Sequence, residues 1–145
     1  MSQLAQLNIA HMKYDFEAPE MADFVARLDE INALADASPG FVWRWIAESD
    51  AAIAEEHFDA DMLVNLSVWQ DLDSLRNFVF RSNHSEVMAR RKHWFERMQE
   101  AYTVLWWVPD GHIPGVAEAR QRLDLLRDRG PTPDAFTFRQ NFPAG

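Results

Sequence analysis

The sequence predicts an α+β fold of the ferredoxin-like type: a four-stranded antiparallel sheet with helices on one face, extended by a C-terminal helix and tail. Two observations lead to this prediction. Segments with the apolar pattern of strands and segments with apolar residues at helical spacing follow one another as strand, helix, strand, strand, helix, strand. The 145 residues also suit a single domain, with its core at residues 3–109 and the added helix and tail at residues 110–145.

The first half of the core is predicted to contain two strands around one helix. Apolar residues nearly alternate over residues 3–13, which indicates a strand. From Pro19 onward the apolar residues fall on one helical face, and the sequence SPG at residues 38–40 ends that helix. Residues 41–48 are rich in aromatic and β-branched side chains and form the second strand, while the acidic residues 49–61 form a loop.

The second half begins with a strand over residues 63–70. Asp71 or Asp73 can cap the helix that follows, because an aspartate oxygen accepts hydrogen bonds from the first free N–H groups of a helix. A capping-box pattern at Asn83 then predicts a second helical segment with His84 in its first turn.

The chain closes with the fourth strand and the added elements. Residues 101–109 form the strand, and residues 116–130 form an amphipathic helix ended by a glycine. The last residues, PTPDAFTFRQNFPAG, are expected to be an ordered tail or a docking arm.

The predicted sheet lacks the polar face that a sheet covered on one side should show. The strand sequences FVWRWIA and VLWWV are apolar on both alternating faces. The second face must therefore be buried, and a second copy of the chain is the economical partner. We expect a homodimer in which two sheets close on each other.

Composition excludes several partners. The net charge of -9 and the absence of a basic stripe disfavour nucleic acid. The absence of cysteine removes disulfides, thiolate nucleophiles and cysteine metal ligands. No run of 18 apolar residues and no leader pattern occur, so we expect a cytoplasmic protein that does not enter membranes.

Polar residues on the buried strands indicate a pocket. Gln6 and Asn8 share one face of the first strand, and Asn65, Ser67 and Trp69 share one face of the third. Neighbouring strands would bring these rows together on the helix-facing side, where they can line a ligand cavity. The alternative is that Asn8 and Asn65 satisfy each other or pair with loop backbone.

The segment RSNHSEVMARRKHWF offers further candidates. The helix dipole favours a neutral His84, able to act as a base, a hydrogen-bond partner or an iron ligand. The alternative is a core histidine bonded to a carbonyl. Arg91, within a basic run, can bind a carboxylate or simply be solvated. His84 and His93 point to different sides of a helix, and no residue spacing predicts a metal site.

The stretches LAQLNIA, LSVWQDLDSLRNFVFRSNH, RRKHWF and GPTPDAFTF resemble a bacterial domain-of-unknown-function family of the dimeric α+β barrel superfamily. That superfamily includes antibiotic-biosynthesis and haem-degrading monooxygenases, which residues 3–109 resemble in fold. The resemblance to the haem-degrading members implies that Asn8 matches their first-strand asparagine, Phe78 their helical aromatic and His84 their histidine. It makes haem a candidate cofactor, although the departures in residue type and spacing favour a cofactor-free site.

Three functions remain open. The first is a monooxygenase-like enzyme acting on a small aromatic molecule or haem: Asn8 would orient the substrate or an oxygen intermediate, His84 would act as base or ligand, and Trp69 and Phe78 would form an apolar wall. The second is a non-catalytic dimeric module that binds a small apolar molecule. The third is a structural dimer without a ligand.

Overall fold

The computed structural model describes residues 2–15, 17–45, 58, 62–82, 93–98 and 100–144, with only the backbone of Phe80 and Ser82. The strands are β1 (Ser2–His11), β2 (Phe41–Arg44), β3 (Met62–Trp69) and β4 (Thr103–Pro109), and the helices are α1 (Ala22–Asp36), α2 (Leu72–Ser82) and α3 (Val116–Arg129). The strands form one antiparallel sheet in the order β2-β3-β1-β4. This order is that of the predicted ferredoxin-like fold, which is therefore confirmed.

The contact between the end of α1 and the start of α2 depends on two residues, the glycine that the sequence predicts to end α1 and the aspartate that it predicts to cap α2. Asp71 Oδ1 accepts a hydrogen bond from the Ser74 backbone N–H at 2.8 Å, so Asp71 caps α2. Gly40 has a φ of +84°, and a Cβ built there would lie 2.1 Å from Ser74 Oγ. Because the turn after α1 packs so closely on the start of α2, only glycine fits at this position.

The two faces of the sheet are covered by different helices. The face formed by Leu4, Gln6 and their cross-strand partners packs against α1 and α2, as predicted for the core. The opposite face packs against α3 through buried side chains of the helix, namely Val116, Ala119, Leu123 and Leu126. The sequence pattern predicted a second copy on that face, because it indicates no position for the C-terminal helix. In the structure much of it is covered within the chain, and the homodimer stays a prediction.

The tail crosses from one face of the sheet to the other. Ala135 is buried with the α3 side, and Phe136 exchanges two backbone hydrogen bonds with Leu105 of β4, at 2.8 and 2.9 Å. Phe136 itself packs on the α1 and α2 side. Trp107 Nε1 then donates to the Phe142 carbonyl at 2.8 Å. The tail thus covers the outer edge of β4, whose backbone groups would otherwise be open to pairing with another strand.

Among the described residues, the helices lack the length and the apolar character that a membrane span requires.

Candidate functional site

The floor of the site is a set of polar side chains aligned across the sheet. Asn65 of β3 stands opposite Asn8 of β1, and Asn8 stands opposite Thr103 of β4. Two residues further along β1 and β3, Ser67 stands opposite Gln6. Because directly opposed residues of an antiparallel pair point to the same face, all these side chains face α1 and α2. The meeting of the two polar rows follows the sequence prediction.

A hydrogen-bond network holds part of this floor. The Gln6 side-chain amide donates to Asn65 Oδ1 at 2.9 Å and to Ser67 Oγ at 2.8 Å, and Trp69 Nε1 donates to Ser67 Oγ at 3.0 Å. Gln6 and Ser67 are only 8% and 5% exposed. Both N–H groups of Gln6 are therefore used, while its carbonyl oxygen and the Ser67 hydroxyl proton have no partner among the described residues.

The amide of Asn8 stays outside this network. Its side chain forms no hydrogen bond with any residue in the described ranges, and it is half-buried at the cavity wall. No hydrogen bond joins the Asn8 and Asn65 side chains, so the alternative that they satisfy each other is wrong; Asn65 Oδ1 accepts from Gln6. Asn8 thus presents both a donor and an acceptor to the space above the sheet.

A partly open cavity of about 570 Å³ lies above this floor. It is enclosed by the sheet, by α1 and α2, and by residues of the tail. Its volume falls in the range usual for small-molecule sites, about 300 to 1,000 Å³. The lining beyond the polar floor is mainly apolar and aromatic and includes Phe24, Leu28, Ile31, Phe41, Leu63, Leu75, Phe78, Trp94, Phe95 and Phe138.

One end of the cavity is an aromatic wall centred on Trp69. The Phe78 ring of α2 stacks on Trp69 with centroids 5.0 Å apart and planes at 24°. Phe41 meets Trp69 edge-on at 5.4 Å. Trp69 is 1% exposed, so its ring is fixed by these neighbours and by its bond to Ser67. Such contacts add about 0.5 to 1.5 kcal/mol each beyond area burial and make the wall rigid.

The other end of the cavity is a second aromatic cluster under the start of α1. Phe24 lies 5.3 Å from Trp94 and meets Phe95 edge-on at 4.8 Å. Phe95 also bridges to Met12 just after β1. The polar floor is therefore flanked by aromatic surface on two sides.

The structure brings together most of the side chains that the sequence proposed. Asn8, Asn65, Ser67, Trp69 and Phe78 all line the cavity, although their roles in a reaction or in binding remain predictions. His84 and Arg91 lie outside the described residues, and their roles also stay predictions.

Sequence reasoning missed several lining groups. Asn32 of α1 and the tail residues Thr137, Phe138 and Arg139 line the cavity, and so does Arg44 of β2. Arg44 could have been found, because it is the one charged residue within the apolar strand sequence FVWRW. The tail residues carried no signal, since only tertiary packing brings them beside the cavity.

Comparison with known proteins identifies the family. The family described as Domain of unknown function (DUF3291) matches residues 3–145, so the chain belongs to that family, as the sequence resemblance indicated. No curated protein matches the sequence. Among solved structures the chain is similar to SnoaB, a cofactor-independent oxygenase from Streptomyces nogalater, at 18% identity and a TM-score of 0.46. That similarity covers 79% of this chain and all of SnoaB.

Proposed function

We propose that this member of the DUF3291 family binds a small aromatic molecule in the cavity between the sheet and helices α1 and α2. The main support for this proposal is the polar floor of the cavity. Side-chain amides and a hydroxyl on a buried sheet face border a cavity of about 570 Å³ that is flanked by aromatic rings. A core without a ligand would fill such a space with apolar side chains, because protein interiors are close-packed. The geometry therefore favours a binding site over a purely structural dimer.

The free polar groups define what the ligand must offer. Asn8 can donate and accept, Gln6 has an unused carbonyl oxygen, and Ser67 has an unused O–H donor. Carbonyl and hydroxyl substituents on an aromatic ring would satisfy these groups. A ligand without them would leave buried polar atoms unpaired, at a cost of about 1 to 3 kcal/mol each.

A monooxygenase-like reaction is the catalytic form of this proposal. Asn8 would orient the substrate or an oxygen intermediate, and His84 would remove a proton from the substrate. An electron-rich substrate can supply all the electrons itself: a CH₂ group reacts with O₂ to give a carbonyl and one water. The alternative is a non-catalytic module that holds the same ligand.

Haem fits the described residues poorly. The described lining contains no His, Cys or Met side chain, and its one residue of a type that ligates haem iron, Tyr102, is exposed; we therefore take His84 as the candidate axial ligand. If His84 held haem, the iron would supply the oxygen chemistry. The cofactor-free form is the one we propose.

The binding proposal can be tested with the neutral fluorescent probe N-phenyl-1-naphthylamine. We expect saturable binding that Asn32→Trp weakens at least about tenfold, because the indole would occupy the cavity from its α1 side. Glu30→Trp, on an exposed position of α1 outside the lining, is the matched control and should bind normally. No saturable binding, or equal affinity in both variants, would contradict the proposal.

Enzyme and binder are separated by following oxygen uptake with aromatic ligands that displace the probe. Loss of uptake in Asn8→Ala and in His84→Ala, with binding retained in at least one of them, would support catalysis. Binding of every ligand without oxygen uptake would support the non-catalytic binding module.

A haem titration tests whether the protein binds haem through His84. The titration is followed by Soret absorption in the protein and in His84→Ala, and a band that shifts or disappears in the variant would identify His84 as the iron ligand.

The homodimer is part of the same proposal. Val42, Trp43 and Trp45 lie half-buried on the sheet side that carries α3, which leaves apolar surface for a second copy. Sedimentation should give a dimer at micromolar concentration, and Trp43→Glu should weaken it. A monomer at that concentration would contradict this part.

A further inference from the structure

We propose that the ligand of this cavity is an aromatic acid whose carboxylate is bound by Arg44, with Arg139 supplying a second positive charge. This inference rests on the proposed function, since it names the class of molecule that the same cavity takes. Its starting point is the charge of the lining: the described lining residues include Arg44 and Arg139 but no aspartate or glutamate. The chain as a whole has 23 acidic and 14 basic residues, so the lining side chains are opposite in charge to the molecule around them, with Asp36, just outside the lining, compensating part of the Arg44 charge.

Arg44 is positioned to bind a carboxylate. It stands opposite Ser67 and therefore points to the cavity face at the β2 edge of the sheet. Its Nε donates to Asp36 Oδ1 at 2.8 Å and its Nη2 donates to Asp36 Oδ2 at 3.3 Å. This two-point contact at the end of α1 fixes the plane of the guanidinium group.

The same contact leaves donors of Arg44 for a ligand. Nη1 and one N–H of Nη2 form no hydrogen bond with any residue in the described part of the chain. The side chain is only 27% exposed, so its charge is less screened than that of a surface arginine. An arginine that is already oriented loses less conformational freedom when it binds a carboxylate. Arg44 is thus the expected anchor for the acidic group.

Arg139 supplies a separate, unpaired charge at the cavity. It sits in a short turn of the tail, in which the Gln140 N–H donates to Thr137 Oγ1 at 3.0 Å. Within the described ranges the guanidinium group of Arg139 forms no hydrogen bond or ion pair. Because the tail lies beside β4, this charge is near the edge of the sheet opposite to Arg44. Its exposure makes its contribution smaller and more sensitive to salt.

Local cations are needed for an anion to bind this protein at all. A net charge of -9 repels anions at long range, and an apolar cavity adds the cost of removing a carboxylate from water. Oriented donors within the cavity can offset both effects, whereas the carbonyl oxygen of a neutral ligand would gain only a weaker hydrogen bond from them. If the two arginines bind the ligand's acidic group, the protein should bind a carboxylate more tightly than a neutral ligand of the same shape.

The test is competition by 2-naphthoate and 2-naphthamide against bound N-phenyl-1-naphthylamine. These competitors share one ring system and one shape, and only the first is charged. We expect 2-naphthoate to displace the probe at a concentration about tenfold lower than 2-naphthamide, as one charge-assisted contact in a half-buried site predicts. Arg44→Gln should remove most of this preference, and Arg139→Gln should reduce it about two- to threefold, less so at high salt.

Arg76→Gln is the matched control, since Arg76 is an exposed residue of α2 outside the lining and its loss changes the net charge equally. It should leave the preference unchanged. Equal displacement by both competitors, or a preference that survives in both Arg44→Gln and Arg139→Gln, would overturn the inference while the binding proposal stands. Absence of probe binding would overturn both. Arg139→Gln breaks no described contact, so it remains informative if Arg44→Gln fails to fold.

Discussion

The two faces of the sheet use the same strands for different purposes. On the α3 side, the described buried strand residues are apolar apart from the indole N–H of Trp106, which donates to Glu118 Oε2 at 2.8 Å, and the polar residues Gln3 and His11 lie only at the ends of β1. On the α1 and α2 side, the same strands carry Gln6, Asn8 and Ser67 over a cavity. One face is filled and the other is partly empty, although both are covered by helices.

This difference shows how polar residues mark a site on a buried sheet. A single polar group on the filled face is matched by one partner, as Trp106 is by Glu118. The cavity face keeps donors and acceptors, such as the amide of Asn8, that no described residue satisfies and that water or a ligand can pair with. We therefore expect changes on the α3 side to reduce stability without affecting binding, and changes at the cavity floor to reduce binding with little effect on stability.

The largest effect is expected at Phe136, because the tail serves both faces. Its ring is fully buried and lies 5.9 Å from that of Phe142, and its backbone pairs with Leu105. Phe136→Ala should lower the free energy of unfolding by about 3 to 5 kcal/mol. It should also weaken probe binding, since Phe138 and Arg139 depend on the same segment. Urea unfolding and a probe titration measure the two effects, and a stable variant would show that the tail is only loosely attached.

Leu123→Ala tests the contribution of the α3 side of the sheet to stability. Leu123 is fully buried between α3 and the sheet, and its truncation should cost about 2 to 4 kcal/mol through lost burial and a new cavity. Leu125, which is only partly buried on the same helix, provides the control, and Leu125→Ala should cost less. Probe affinity under native conditions should be unchanged in both. A Leu123→Ala variant that folds normally but loses the probe would refute the separation of the faces.

Glu118→Ala tests the buried polar contact between α3 and Trp106 of the sheet. The buried Trp106 N–H would lose its acceptor, at a cost of about 1 to 3 kcal/mol in urea unfolding. Glu118 also contacts His112 Nε2 at 2.7 Å, so Glu118→Gln, which keeps a carbonyl oxygen for Trp106, is the variant to compare. The glutamine variant should be the more stable of the two. Equal losses would assign the effect to His112 rather than to Trp106.

The smallest change in stability is expected at Asn8. Its amide has no protein partner in the described ranges, so Asn8→Ala should alter the free energy of unfolding by no more than about 1 kcal/mol. Displacement of the probe by hydroxylated or carbonyl-bearing naphthalenes should nevertheless weaken about five- to tenfold, as the loss of one hydrogen bond predicts. A large loss of stability with unchanged binding would make Asn8 a structural residue.

The element order and the polar floor could be predicted from the sequence because both are local patterns. Alternation along β1 and β3 assigned Asn8, Asn65 and Ser67 to one face, and pairing of these strands then brought the rows together. The capping of α2 by Asp71 was likewise readable from residue type and position. These features depend on periods of two or a few residues, which the chain expresses without reference to distant segments.

Only the tertiary structure determined the features that depend on contacts between segments far apart in the chain. The apolar surface of the sheet indicated that it must be covered, yet nothing in its pattern distinguished α3 from a second copy, since both would bury the same area. The contact of Arg44 with Asp36 and the approach of the tail to the cavity depend on how helices and loops pack in space. Hydrophobic burial is non-directional, so sequence determined which faces are buried, and packing geometry determined what buries them and where space was left for a ligand.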